Sequence, residues 1–393
     1  MRYRTLRLFA VAAVVVAGIG VGVSLTAKPI IPMLPAPTGP FLVGTVRWDY
    51  SRTGNNGGGE ASPGCRLDVQ LWYPAGDASG RPRAPYSWSA GVRSLRHWVR
   101  TDAVLGAPVA TARASYPVVL LLPGWSGGRG ENTALVQELA SRGFIVAAVG
   151  YDLPGCGQVA GLSGPGGVGA MDFSSAGAFA RTVEIANRRL DRVSQGAVRV
   201  VDALVALNRD DPSGRFVGRL DMDRVAAVGH SFGGAIAVQI CWLDARVKAA
   251  VDIDGWLFNA APGGWIRQPF MHISDDGQWP TLAEMTAADP ERRFPAILGH
   301  ETEQRLEMAF ATYGGISVTV EGSRHEDFAD FLYLSGSLLL LGRRPDQRFI
   351  RIAAEYVAAF LGQGPSGDGL NPLATPLPGV RLRVYDGRTG GDG

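Results

Sequence analysis

The sequence predicts an α/β protein built on a mainly parallel central sheet of about eight strands, with helices on both faces. Three observations predict it. Short runs rich in valine, leucine, isoleucine and alanine recur through the 393 residues. From Val118 onward these runs alternate with segments of helical period. Several of them are apolar without interruption, as strands buried on both faces are.

The N-terminus carries Arg2, Arg4 and Arg7 ahead of an uncharged apolar stretch from Leu8 to Leu25. That pattern is expected of an export leader over residues 1–27, acting as a signal peptide or as a membrane anchor. Its length of about 18 residues is at the lower limit for a span, and Leu25 stands where a cleavage site prefers a small residue. Either way the remainder is expected outside the cytoplasm, secreted or anchored. Pro29, Pro32, Pro35, Pro37 and Pro40 then make residues 28–40 an extended linker.

A single folded domain is expected over residues 41–362. Val43 to Trp48 and Leu67 to Tyr73, separated by the turn-rich stretch Ser51 to Gly64, read as antiparallel strands. Val118 to Leu122, Phe144 to Val149, Val225 to Val228, Val247 to Ile253, Pro269 to Ile273 and Ile316 to Val320 read as the remaining strands. Helices are expected at Asn132 to Ser141, Ala178 to Leu207, after Ser231, at Glu303 to Ala311 and at Gln347 to Leu361. The Gly-, Pro- and Asp-rich tail, residues 363–393, is expected to be loose.

Composition excludes several classes. The formal charge is +2 and the arginines are scattered, so there is no basic stripe for nucleic acid. Three cysteines, Cys65, Cys156 and Cys241, fit neither a zinc site nor a disulfide framework, although one bridge with one thiol left over is allowed. Five histidines show no metal-ligand spacing, and no cofactor or metal is expected. Gly155-Cys156-Gly157-Gln158-Val159-Ala160 matches a loose dinucleotide fingerprint, but no strand ending in an acid follows at the required distance. Residues 153–170 therefore read as a loop over the site.

The chemistry is concentrated at Gly229-His230-Ser231-Phe232-Gly233, between an apolar strand and a helix. A serine hydroxyl becomes a useful nucleophile when a sharp strand-to-helix turn lifts it clear of the packing and a base reaches it. The base and an acid must arrive from later strand ends. His272 lies inside an apolar strand and His300 in a polar helical stretch, whereas His325 follows the last strand directly. For the acid, Asp254 ends one strand, and Asp275 and Asp276 end the next. Spacing alone leaves that choice open. Asp252 lies two residues deeper than Asp254 and suits a structural role. The loop Leu122-Pro123-Gly124-Trp125-Ser126-Gly127-Gly128 offers a second oxyanion donor, making the amides of Trp125 and Phe232 the expected pair.

These segments resemble the platelet-activating-factor acetylhydrolases of the secreted, lipoprotein-associated type, within the α/β-hydrolases. The similarity runs from about Gly39 to Leu361 and includes Leu71-Trp72-Tyr73-Pro74, Gly143 to Val149 and the elbow. Asp252-Ile253-Asp254-Gly255-Trp256-Leu257-Phe258 and Gly322-Ser323-Arg324-His325-Glu326-Asp327-Phe328 are more specific than the elbow. The resemblance implies an α/β-hydrolase fold with a triad of Ser231, His325 and Asp254, which resolves the acid. It also implies a serine esterase acting on a small-molecule ester or a short-chain phospholipid, with the membrane surface as a partner. Trp125 departs from the family pattern, where an aliphatic residue is usual, and with Trp256 and Phe258 it is expected to close a short acyl pocket. A broad carboxylesterase or polyester hydrolase uses the same machinery, and a non-catalytic anchored binding protein is the alternative outside enzymes.

Overall fold

Strand runs that are apolar on both sides must be covered on both sides, and the computed structural model shows how. It describes residues 34–48, 68–86, 99–125, 127–151, 171–277, 279–334, 346–362 and 371–387. The leader, the start of the proline linker, the 51–64 segment, the 153–170 loop, Cys65 and Cys156 lie outside the described residues.

Among the described residues, eleven strands form one sheet: β1 Leu42–Trp48, β2 Asp68–Ala75, β3 Arg83–Pro85, β4 Arg100–Leu105, β5 Tyr116–Leu122, β6 Ile145–Gly150, β7 Leu220–His230, β8 Val247–Ile253, β9 Phe270–Ser274, β10 Gly315–Val320 and β11 Val380–Tyr385. Their order is β11-β10-β9-β8-β7-β5-β6-β2-β1-β4-β3. From β6 through β5, β7, β8 and β9 to β10 every pairing is parallel, while β2 and β11 join antiparallel at the two sides of that block. Among the described residues, five helices of more than one turn flank the sheet: α1 Thr133–Ser141, α2 Ala176–Arg209, α3 Phe232–Leu243, α4 Pro290–Tyr313 and α5 Arg348–Phe360.

The core forms two layers. In β5, Val118, Leu120 and Leu122 pack with α2, α3 and α4, whereas Val119 and Leu121 pack with α1 and α5. Strand periodicity of two produces this split, because successive side chains leave opposite faces.

Three expectations are corrected. The sheet has eleven strands instead of about eight, because β3, β4 and β11 escape the sequence reading. The tail expected to be loose contains β11. Val380, Leu382 and Val384 alternate with Arg381, Arg383 and Tyr385, and the strand pairs in register with β10. Glycine and proline on either side obscured a genuine period of two. Helix α4 begins at Pro290, well before Glu303. Pro290 occupies the first turn, where a missing N–H is tolerated, and Asp289 caps the helix by accepting from the Glu291 amide at 3.0 Å.

Residues 325–330, which follow β10, are fastened to the start of α1. The buried Asp330 carboxylate accepts from the amides of Thr133 at 2.7 Å and Ala134 at 3.2 Å, and from the Tyr86 hydroxyl at 3.2 Å. The Asp330 amide donates to the Glu131 carbonyl at 2.9 Å, and Asn132 Nδ2 donates to the Phe328 carbonyl at 3.0 Å. Helix N-termini expose unpaired amides, so this carboxylate satisfies donors that otherwise lie buried and orphaned. Asp330→Ala is expected to lower unfolding free energy by about 2–4 kcal/mol in urea titration. A loss below about 0.5 kcal/mol contradicts this role.

Candidate active site

Ser231 joins β7 to α3 with φ 57° and ψ −127°. A non-glycine residue pays about 1–3 kcal/mol for such a conformation, and it persists only where its surroundings enforce it. The Ser231 amide donates to the Ile253 carbonyl at 2.8 Å, and the Ser231 carbonyl accepts from the Gly234 amide at 2.9 Å. A Cβ on Gly229 would strike the Gly233 carbonyl, and one on Gly233 would strike the Leu122 carbonyl. The two glycines of the motif therefore allow strand, helix and loop backbones to converge beneath the serine.

His325 Nε2 lies 3.1 Å from Ser231 Oγ, and His325 Nδ1 lies 2.6 Å from Asp254 Oδ2. Asp254 also has a positive φ of 56°, and its Oδ1 accepts from the Asp275 amide at 3.0 Å. Burial opposes ionisation of Asp254, but the hydrogen bond and charge of His325 and the Asp275 amide hold its carboxyl below the ordinary range. Burial likewise opposes protonation of His325. The bond to Asp254 and its charge, reinforced by Glu326 and Asp275, nevertheless hold the imidazole above its ordinary value.

The alternative acids are placed differently. Asp275 contributes its backbone amide to Asp254, while burial and the Asp254 charge push its own carboxyl up. Asp276 pairs with Arg381 and accepts from the Gly322 amide. Asp252 is fully buried; it accepts from the Gly255 amide at 3.0 Å and bonds His272 Nδ1 at 3.1 Å. His300 lies on α4 against Glu303.

The 123–125 loop lies directly over the serine: a Cβ on Gly124 would be 3.3 Å from Ser231 Cβ. Trp125 meets Phe232 edge-on, with ring centroids 4.9 Å apart. The Phe232 amide is in the first turn of α3, where it has no intrahelical acceptor and lies at the positive end of the helix dipole.

Sequence reasoning missed three residues. Buried Glu131 accepts from the Gly124 amide at 3.0 Å and meets His230 Nδ1 at 3.2 Å. His230 Nε2 donates in turn to the His325 carbonyl at 3.1 Å. The 123–125 loop and the histidine segment are thus joined through the residue next to the serine. Arg305 on α4 donates to the carbonyls of Phe258 and Ala260, fastening the loop after Asp254. A buried acid in a glycine loop and a histidine inside the elbow were visible signals; Arg305 gave none.

Ser231 and His325 open on a cavity of about 1040 Å³. Trp125, Phe173, Phe232, Trp256 and Phe258 line it near the serine. Polar side chains of β9, β10 and β11 and residues of α4 also line it. Among the described residues no group of histidine, cysteine and acidic side chains could hold a metal. No described helix is long and apolar enough to cross a membrane.

A family model described as "Alpha/beta hydrolase family" matches residues 119–380. The chain is 24% identical over 257 residues to the platelet-activating factor acetylhydrolase of Cavia porcellus, and 27% identical over 266 residues to that of Bos taurus. Each match takes in 61% of this chain but only 54% and 60% of those relatives. Among solved structures, the ferulic acid esterase of Streptomyces cinnamoneus is similar with a TM-score of 0.59 and 25% identity, covering 90% of this chain and 99% of that one.

Because Asp254 favours the imidazolium, an NMR titration of His325 is expected to give a midpoint above about 6.5. Asp254→Asn is expected to move it down, since burial then acts without the opposing charge. A wild-type midpoint at or below 6.5 contradicts the pairing.

Proposed function

The chain belongs to the alpha/beta hydrolase family, and we propose that within it the protein is a serine esterase that hydrolyses short acyl esters. The convergence of Ser231 after β7, Asp254 after β8 and His325 after β10, with contacts of 3.1 and 2.6 Å, carries this reading. His325 Nε2 takes the hydroxyl proton as Ser231 Oγ attacks the carbonyl carbon. The amides of Trp125 and Phe232 receive the oxyanion. The tetrahedral intermediate then expels the alcohol, protonated by His325, and leaves an acyl-enzyme. Water repeats the sequence to release the acid. Asp254 holds the Nδ1–H tautomer and balances the transient positive charge throughout.

For the substrate, relatives named platelet-activating factor acetylhydrolases favour a short acyl group, extending to the sn-2 position of phospholipids presented at a membrane surface. The rigid side chains of Trp125, Trp256 and Phe258 suit a short acyl pocket. The size of the cavity and its aromatic lining support a second reading, a broader carboxylesterase or polyester hydrolase on the same triad, in keeping with the structural neighbour's being a ferulic acid esterase. The leader over 1–27 belongs to the same proposal and places the domain outside the cytoplasm.

Ser231→Ala is expected to abolish ester hydrolysis while leaving the fold intact, and a fluorophosphonate probe is expected to label Ser231 alone. Turnover by the alanine variant refutes the assignment. Asp254→Asn is expected to lower kcat by roughly 10⁴-fold with little change in KM, and Asp275→Asn to stay within about tenfold. Across acetyl to dodecanoyl nitrophenyl esters, kcat/KM is expected to peak at about two to six carbons; a steady rise to dodecanoyl excludes the short pocket.

A further inference from the structure

Helix α2 buries a stripe of Thr182, Ala186, Leu190, Val193 and Ala197, and Arg189 lies on that stripe. It is 1% exposed, and its Nε and Nη1 are buried with no hydrogen-bond partner. What surrounds the guanidinium is aromatic. Its central carbon lies 4.6 Å from the Trp125 ring centroid, 4.8 Å from that of Tyr151 and 5.5 Å from that of Phe232. Tyr151 in turn donates its hydroxyl to the Pro123 carbonyl, at the base of the same loop. The buried carboxylate of Glu131, occupied with Gly124 and His230, supplies the nearby opposite charge.

A methionine or leucine would fill this stripe without the desolvation that a buried guanidinium suffers. Arginine stays charged when buried, and ring faces give it only partial compensation. A positive charge this poorly solvated acts strongly on any negative charge forming nearby. Two of its three ring partners, Trp125 and Phe232, are the residues whose amides are proposed above to receive the oxyanion.

We infer that Arg189 is a positioning residue for ester hydrolysis, resting on the esterase reading above: it locks the Trp125 indole in place and its field stabilises the oxyanion formed at the Trp125 and Phe232 amides. This accounts for the departure at position 125. An aliphatic side chain there offers no face for the guanidinium. The substrate carbonyl is neutral before attack and its oxygen carries a full charge afterwards, so the effect falls on kcat and spares KM.

The test compares wild type, Arg189→Met, Arg189→Lys and Ser231→Ala on nitrophenyl butyrate. It also measures inhibition by butylboronic acid, which forms an anionic tetrahedral adduct on a serine, and checks each fold by thermal melting. Arg189→Met is expected to lower kcat by about 10- to 100-fold, keep KM within about threefold and weaken the boronate by the same factor as kcat/KM. Arg189→Lys, which keeps the charge, is expected to stay within about tenfold in kcat. A folded Arg189→Met with kcat within about threefold of wild type overturns the inference, as does a fall in kcat with boronate affinity unchanged. If Arg189→Met does not fold, Arg189→Lys decides: retention within about tenfold supports the inference and a larger loss overturns it. Loss of turnover in Ser231→Ala with an indifferent Arg189 sinks this inference alone; turnover in Ser231→Ala sinks the esterase reading and this inference with it.

Discussion

The site depends on one backbone constraint, the turn at Ser231 with its φ of 57°. That conformation aims the hydroxyl out of the sheet while the chain behind it enters α3. It is enforced by the bond from the Ser231 amide to the Ile253 carbonyl and by two glycines that let Gly233 approach Leu122. Relaxing it would separate the hydroxyl from His325 and turn the first amide of α3 away from a substrate oxygen. Asp254 carries a second positive φ at the neighbouring strand end, so strain is concentrated where geometry matters for chemistry.

Around that turn the polar groups work as a frame. Glu131 ties the 123–125 loop to His230, and His230 ties itself to the His325 carbonyl. Asp330 anchors the histidine segment to α1, and Arg305 anchors the loop after Asp254 to α4. Loops are otherwise the least constrained parts of such a fold. Here each loop bearing a candidate residue is attached to a second element by a buried or half-buried hydrogen bond, which limits the entropy left to lose when a substrate is bound.

Much of this was legible in the sequence. Short apolar runs named the six strands of the parallel block, which are buried on both faces, and the two antiparallel strands β1 and β2 beside it. The elbow and His325 could be singled out because a nucleophile and a base are expected at strand ends in order along the chain, whereas spacing left Asp254 level with Asp275 and Asp276 and only the resemblance chose it. Strand β11 was obscured by its Gly- and Pro-rich flanks, and the first turns of α4 by prolines that read as breakers. Arg305 and Arg189 were invisible for a different reason. Their roles come from which carbonyls and rings they meet in three dimensions, and in an arginine-rich chain one more arginine carries little information, although Arg189 does interrupt an apolar stripe.

The central claim is that Ser231 carries the acyl group between attack and hydrolysis. Acid quenching during turnover of nitrophenyl acetate, followed by mass spectrometry of the digested protein, tests it directly. The account predicts one acetyl group per protein on the peptide containing Ser231, formed together with a burst of nitrophenol matching the amount of enzyme. Product formed with no acylated peptide, or with the acetyl group on any other residue, contradicts it.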